Sequence, residues 1–255
     1  MKYLISIVGL FLFGYFYMVK QPDPVESRVY KWPQQFEELD EGIAKAKILS
    51  GSTTALYRLD VDAYQLQPGV TLVGGGTLET MVIVKSGVLT VEMEGEDVEL
   101  GPGSVYVSFP GGGMGIGNHT ADAVEYYQFM YSSRQGADTS RINESERGYF
   151  VDWDELDVRE TQRGEHRHYF DRPTALLSRF EMHVTTLNEG LTSHDVHTHR
   201  EEEFLLIIHS EVEEHIDGSN HRASAGDLIF LDSMVPHTIT NVGTGPTQYF
   251  AFKWE

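Results

Sequence analysis

The sequence predicts an all-β protein in which two homologous barrel units follow an N-terminal export segment. Short runs of β-branched and aromatic residues, such as residues 81–84 and 228–231, are separated by Gly, Pro, Asn and Asp, which is typical of strands joined by tight turns. Long amphipathic helical patterns are missing. The second half of the chain also repeats the first in a nearly constant register. Strands at this spacing predict a sandwich or a barrel in each half.

The composition indicates a folded globular protein and excludes several kinds of site. Of the 255 residues, 40% are hydrophobic, which is enough for one large core or two ordinary ones. The 39 acidic residues outnumber the 19 basic ones, and the formal charge of -20 repels phosphate backbones, so we expect no nucleic-acid partner. The chain has no Cys, which excludes disulfides, thiolate catalysis and Cys-ligated metals. Any metal ion must therefore be held by His and carboxylates.

Residues 1–24 have the layout of a signal peptide or anchor. Lys2 precedes an uncharged run at residues 3–19, and a Pro-rich segment follows. As a helix this run would span about 25 Å, slightly less than the roughly 30 Å of a hydrocarbon core. We expect export to the periplasm or the medium, with cleavage favoured over a membrane anchor and over a buried N-terminal helix. Contact with a membrane is expected only through this segment, if it is not cleaved.

An internal repeat organises the rest of the chain. Val29 aligns with Phe150 at an offset of 121, and Gly103 aligns with Gly226 at an offset of 123. One loop insertion of two residues explains the change of offset, and chance similarity would not keep its register for so long. The repeat therefore predicts two related folding units.

We assign these units to residues 26–134 and 148–255, with a polar linker between them. Within the first unit, residues 35–47 are expected to form one short helix or an irregular edge. A homo-oligomer of the whole chain is compatible with this organisation.

Potential metal ligands concentrate in the second unit, because ten of the eleven His residues follow residue 150. His197, His199 and Glu203 share one face if a single strand runs through all three. His237, from a later strand, completes a set of three imidazoles and one carboxylate, which suits a divalent first-row metal such as Mn, Fe, Zn, Ni or Cu. Calcium and magnesium prefer oxygen ligands. We predict that these four residues bind one metal ion.

Two motifs around these residues resemble those of the cupin superfamily of small β-barrels. The first motif runs Gly, His-x-His, Glu, Gly, and the chain supplies Gly190, His197, His199, Glu203 and, in place of the last Gly, Ser210. The second runs Gly, Pro-x-Gly, His, Asn, and the chain supplies Gly226, Asp232 and Met234 in place of Pro and Gly, His237 and Asn241. The resemblance covers both units. It implies two tandem cupin barrels, each a double-stranded β-helix or jelly roll, with the four ligands in the second barrel.

The first unit lacks these ligands. The offset of 123 places Gly74, Gly76, Thr80 and Met114 at the four ligand positions. We expect a degenerate barrel that binds no metal and packs against the second barrel or lines a shared pocket.

Other residues of the second unit are candidates for contact with a substrate. We take His183, His194, Phe230 and Asn241 as these candidates, although a solvated loop is the simpler explanation for His194. Glu201 and Glu202 are expected to lie on a solvated edge.

The resemblance implies a metal-dependent enzyme that acts on a small polar molecule of the carboxylate, ureide or sugar type. Hydrolysis, isomerisation, decarboxylation and oxygenation all remain open, and the alternative is a non-catalytic cupin that binds a small molecule or sugar. The chain is similar to the ureidoglycine aminohydrolase type of bicupin, which pairs a silent first barrel with a manganese-binding second barrel and so favours manganese. That type has a carboxylate where this chain has His197 and a His where it has Glu203.

Overall fold

The computed structural model describes residues 22–93, 95–143 and 145–255. The apolar run at residues 3–19, which we predict to direct export, lies outside the described residues. None of the helices in the described part of the chain has the length and apolarity needed to cross a bilayer.

The described chain consists almost entirely of short strands. They are β1 (Arg28–Tyr30), β2 (Glu37–Asp40), β3 (Ile43–Gly51), β4 (Leu56–Leu66), β5 (Thr71–Gly75), β6 (Glu79–Ser86), β7 (Leu89–Met93), β8 (Glu96–Leu100), β9 (Val105–Ser108), β10 (Gly113–Gly117), β11 (Val124–Ser133), β12 (Gly148–Val151), β13 (Arg159–Thr161), β14 (Gly164–Arg172), β15 (Phe180–Leu187), β16 (Glu202–His209), β17 (Glu211–Ile216), β18 (Ser219–Ser224), β19 (Leu228–Leu231), β20 (His237–Asn241) and β21 (Thr247–Trp254). Two 3-10 helices, Thr139–Arg141 and Trp153–Glu155, lie between β11 and β13.

Each unit pairs a large antiparallel sheet with a small one. In the first unit, seven strands in the order β12-β9-β6-β11-β4-β3-β2 accompany four strands in the order β5-β10-β7-β8. In the second, seven strands in the order β1-β19-β16-β21-β15-β14-β13 accompany three in the order β18-β17-β20. The two sheets of each unit share one apolar core. The predicted all-β class with two tandem jelly-roll barrels is confirmed.

The first strand of each unit pairs with the other unit. β1 lies against β19 of the second unit, with Val29 opposite Ile229. β12 lies against β9 of the first unit, with Phe150 opposite Tyr106. The sequence repeat thus aligned β1 with β12 correctly. However, each of these strands belongs to the large sheet of the other unit, so boundaries at residues 26 and 148 do not coincide with the division between the two large sheets. Alignment of a repeat identifies equivalent strands and carries no information about which sheet edge they join.

Alternation along the central strands separates the interior of each barrel from the interface between the units. In β21, Tyr249 lies in the core of the second barrel, whereas Phe252 lies in a core shared by both units. In that shared core the ring of Phe129 lies 5.5 Å from Phe204 and 5.3 Å from Phe252. Full burial of such a side chain contributes about 1.5–3 kcal/mol, so this apolar layer stabilises the pairing of the units.

The same alternation separates two neighbouring carboxylates. Glu203 faces the interior of the second barrel, and Glu202 faces the interface between the units, where only 1% of it is exposed. Glu202 accepts hydrogen bonds from Thr53 Oγ1 at 2.6 Å, the backbone N–H of Ala55 at 2.9 Å and Trp254 Nε1 at 2.8 Å. The expectation that Glu202 lies on a solvated edge is therefore wrong, because the edge of the isolated unit is covered by the other unit.

Residues 35–47 contribute to strands β2 and β3, so the expected short helix is wrong, whereas the alternative of an irregular edge is confirmed, because β2 is the edge strand and its register against β3 shifts between Glu38 and Asp40. β3 runs antiparallel to β4 from Ile43 opposite Leu66 to Gly51 opposite Leu59, with a shift of register between Lys47 and Leu49. Pairing with the long strand β4 satisfies the backbone of β3, and this tertiary contact determines a conformation that the mixed local pattern leaves open.

Two residues that depart from the cupin motif nevertheless adopt the backbone conformation of glycine. Ser210 and Met234 have φ angles of 69° and 64°. At the equivalent positions of the first unit, Gly87 and Gly111 have φ angles of 76° and 79°. A left-handed conformation costs about 1–2 kcal/mol for a residue with a side chain, so the turns of the second unit keep their geometry at some strain.

Candidate metal centre

The four predicted ligands come from three parts of the second barrel. His197 and His199 lie in the segment between β15 and β16, Glu203 is the second residue of β16, and His237 begins β20. No continuous strand joins His197 to Glu203, in contrast to the expectation. Instead the backbone of His197 pairs with that of His237 through hydrogen bonds of 3.2 and 3.0 Å. This local bridge brings the two imidazoles together across the end of the barrel.

The side chains of the four residues converge. The ring nitrogens that His197, His199 and His237 offer to a metal lie within 4.8 Å of one another. Glu203 Oε2 lies 3.2 Å from Nε2 of both His199 and His237. His237 and Glu203 are buried, while His197 is exposed, so the cluster is closed on one side and open to solvent on the other.

The hydrogen bonds of two rings determine which nitrogen faces the cluster. Nδ1 of His199 lies 2.8 Å from the carbonyl oxygen of Glu201, and Nδ1 of His237 lies 2.9 Å from that of Val235. Because a carbonyl oxygen only accepts, each Nδ1 carries a proton, and Nε2 of each ring is the nitrogen that faces Glu203. A carboxylate oxygen 3.2 Å from both Nε2 atoms is stable there only when a proton or a cation lies between them. This arrangement fits a metal ion, with the carbonyls fixing the orientation of the ligands.

Further features of the cluster agree with this fit. The Nε2 atom of His237 is buried and makes no hydrogen bond, although Glu203 lies nearby. Burial acts to raise the pKa of Glu203, but its close approach to the imidazoles of His199 and His237 outweighs burial and holds that pKa well below its usual range. Burial and the neighbouring imidazoles lower the pKa of His197. An ionised carboxylate and neutral imidazoles are the forms that bind a metal, so a metal ion must displace any proton from His199, whose pKa is raised by the contact with Glu203.

The ligands line a cavity of about 280 Å³. Its wall includes the exposed Arg163 and the half-buried Lys253, which add positive charge, and the fully buried Tyr249 and Glu214. The charged groups on the exposed side mark the entrance, and the buried ones mark the inner end. A cavity of this size accepts a small molecule rather than a polymer.

Two of the predicted substrate contacts line this cavity. The ring of His194 lies 4.0 Å from that of His197, and its backbone carbonyl accepts a hydrogen bond from Thr238. His183 also lines the cavity, where its ring stacks against His166 at 4.9 Å and its Nδ1 lies 3.0 Å from Glu181. The sequence did not determine which face of its strand His183 occupies, and the structure places it on the face that lines the cavity.

The other two predicted contacts lie elsewhere and require correction. Phe230 is fully buried in the shared core, where its ring lies 5.2 Å from that of Phe204. Asn241 is 1% exposed, and its amide nitrogen donates to the carbonyl oxygens of Leu187 and Gly245. Asn118 holds the equivalent turn of the first unit in the same way, through Leu66. Phe230 therefore packs the interface, and Asn241 fixes a turn.

Sequence reasoning missed Glu214, a buried carboxyl group that lines the cavity. The signal was present, because Val212 and Ile216 lie two residues to either side and β17 buries all three. A charged residue at an inward position of an alternating strand is uncommon and usually paired.

The positions of the first barrel that correspond to the four ligands carry other residue types. Thr80 stands at the position of Glu203, and Gly74 pairs with Met114 as His197 pairs with His237. Tyr64 and Tyr126 stack at 5.1 Å inside this barrel. Across the described residues, His197, His199 and His237 form the one group of three or more potential ligands close enough to hold a metal ion.

Comparison with known proteins supports this organisation. Residues 183–253 match the cupin domain family Cupin_2. AerE from Microcystis aeruginosa has a similar structure, with a TM-score of 0.68 and 11% identity over 89% of this chain and 99% of that one. The chain therefore has the fold of a bicupin. A protein from Pseudomonas aeruginosa described as glyoxylate-induced aligns with this bicupin at a TM-score of 0.72 and 15% identity, over 94% of this chain and 92% of that one.

Oxalate decarboxylase from Lactobacillus farciminis, solved as a formate complex, is also similar to the bicupin. Its TM-score is 0.67 at 12% identity, over 90% of this chain and 86% of that one. No curated protein sequence matches the bicupin. At these identities the similar structures establish the fold, and the ligand set described above is the evidence about chemistry.

Proposed function

We propose that this bicupin is a metal-dependent enzyme that acts on a small polar substrate of the carboxylate type, in the second barrel. The convergence of His197, His199, His237 and Glu203 at one end of a small cavity carries the proposal. The similarity to a decarboxylase crystallised with formate supports the substrate class.

The four ligands would hold one divalent first-row ion, for which manganese is favoured. When bound, such an ion polarises an oxygen or carbonyl group of the substrate or lowers the pKa of a water molecule. Arg163 attracts an anionic substrate to the entrance of the cavity, which offsets the repulsion of the acidic exterior, while Lys253 beside it is paired with Glu181 at 3.4 Å. The closed inner side excludes bulk water and strengthens polar contacts with the substrate.

A non-catalytic binding cupin is the alternative function. Such a protein needs no acid or base beyond its ligands, whereas this cavity also contains His183, His194, Lys253 and Glu214. Four further titratable groups around a candidate metal centre favour turnover over simple capture.

We also propose export across a membrane, on the basis of the apolar run at residues 3–19 and the Pro-rich segment after it. Comparison of the mass of the purified protein with that of the full chain tests cleavage, and gel filtration tests the proposed homo-oligomer.

The proposed activity is tested with protein reconstituted with manganese and incubated with a panel of small carboxylates, ureides and sugars. Consumption of one compound, followed by NMR, is expected for the wild type and not for the His199→Ala variant, which keeps the fold and lacks one ligand. A metal-loaded wild type that consumes none of the compounds but binds one of them would contradict the enzyme and favour the binding cupin.

A further inference from the structure

Glu214 lies at the inner end of the cavity and has no partner. Its side chain is fully buried on β17, and neither carboxyl oxygen makes a hydrogen bond. Buried carboxyl groups without partners are destabilising, and proteins usually pair them. The group nonetheless lines the cavity that holds the metal ligands.

The repeat shows that the barrel does not require a carboxyl group at this position. Ile239 on β20 lies opposite Glu214, and the equivalent Ile116 on β10 lies opposite Val91 in the first unit. Val91 is as deeply buried as Glu214 and belongs to the apolar core of its barrel. The barrel that lacks metal ligands therefore fills this place with a hydrocarbon side chain, whereas the barrel with the ligands keeps an acid there.

The surroundings of Glu214 determine its chemical form. Burial and, second, the negative charge of Glu203 raise the pKa of Glu214 well above its usual range. Burial raises the pKa of Tyr249, and the nearby carboxyl groups of Glu203 and Glu214 raise it further. Tyr249 therefore lies close to both carboxyl groups. A protonated carboxyl group has one O–H donor, so it can bind an oxyanion without repulsion.

We propose that Glu214 contacts the substrate and donates a hydrogen bond to an oxygen atom of a small carboxylate in the cavity. This inference rests on the proposed function and adds the residue that receives the inner end of the substrate. The two unpartnered oxygens of this cavity-lining residue carry it, together with Val91 at the same place in the silent barrel. A metal ion held by the four ligands and the carboxyl group of Glu214 would then contact the substrate from different sides.

The test compares the manganese-loaded full chain with its Glu214→Val and Glu214→Gln variants, and with Glu211→Gln, a control on the exposed part of the same strand. Oxalate is the probe, and its affinity is measured by calorimetry beside the metal content and the thermal midpoint. Glu214→Val copies the first barrel, so we expect it to fold, keep its metal, melt at a higher temperature and bind oxalate at least about tenfold more weakly. Glu214→Gln keeps a hydrogen-bond donor and should retain most of the affinity, as should Glu211→Gln.

Several results would overturn the inference. Unchanged oxalate affinity in Glu214→Val would show that the carboxyl group does not contact the probe, and a lower thermal midpoint in both Glu214 variants would assign it a structural role. Failure of the metal-loaded wild type to bind oxalate would reject the small carboxylate as ligand. Absence of metal from the wild type would reject the proposed function, and the inference with it.

Discussion

Replacement of Glu79 by Gln is expected to remove a large part of the pH dependence of stability. Glu79 is the counterpart of Glu202 in the first unit, and it is fully buried at the interface between the units. Tyr131 donates a hydrogen bond of 2.5 Å to it, and Thr174 and the backbone of Leu176 in the second unit also interact with it. Burial outweighs these contacts and raises the pKa of Glu79 from 4.5 to about 7.

The size and sign of the effect follow from this shift. Because the folded state holds the proton more tightly than the unfolded state, folding is favoured when the carboxyl group is protonated. This stability is fully present below about pH 4.5, is lost as the pH rises towards 7, and is absent above it. A difference of about 2.5 pKa units at about 1.4 kcal/mol per unit corresponds to about 3.5 kcal/mol between the two pH limits. Gln cannot ionise, so the variant lacks this loss.

The assay is urea denaturation of the metal-free wild type and of Glu79→Gln at pH 5 and pH 8. The free energy of unfolding of the variant, relative to the wild type, should increase by about 2–3 kcal/mol between these two pH values. Glu202→Gln serves as a matched variant with a smaller expected effect, because burial raises the pKa of Glu202 only to about 6. A difference between wild type and Glu79→Gln that is the same at both pH values would refute the reasoning.

Two further predictions concern the free energy of unfolding of variants outside the metal centre. Phe230→Ala should lower the free energy of unfolding by about 3–5 kcal/mol, because Phe230 packs the shared core. The metal content should not change. Loss of metal from the folded variant would contradict the placement of Phe230 in that core. Ser210→Gly should raise the free energy of unfolding by up to about 1 kcal/mol, because it relieves a left-handed backbone. Destabilisation by this change, measured by the same denaturation, would indicate that the Ser210 side chain makes a necessary contact.

The sequence predicted the parts of the fold that depend on local pattern and on the repeat. Alternation and turn residues located the strands, and the offset of 123 matched Asn118 with Asn241, which hold equivalent turns. The spacing of the His and Glu residues correctly predicted that the four side chains lie close together, although the backbone between His197 and Glu203 is not a single strand.

Features that depend on the partner of a strand could not be predicted. The exchange of β1 and β12 leaves no trace in the composition of either strand, because both sheet edges offer the same backbone groups. The residue type of Glu202 favours a solvated position, and only contact with the first unit buries it. Phe230 is apolar whether it lines a cavity or packs an interface, so its type alone could not distinguish the two.

The most direct test of the metal centre is elemental analysis of protein purified without chelator or nickel affinity resin. The wild type is expected to hold about one first-row metal ion per chain, and the His237→Ala variant none, while circular dichroism shows that the variant remains folded. Thr80→Val, at the position of Glu203 in the first barrel, should retain the metal. Absence of metal from the wild type after reconstitution, or equal metal content in His237→Ala, would contradict the account.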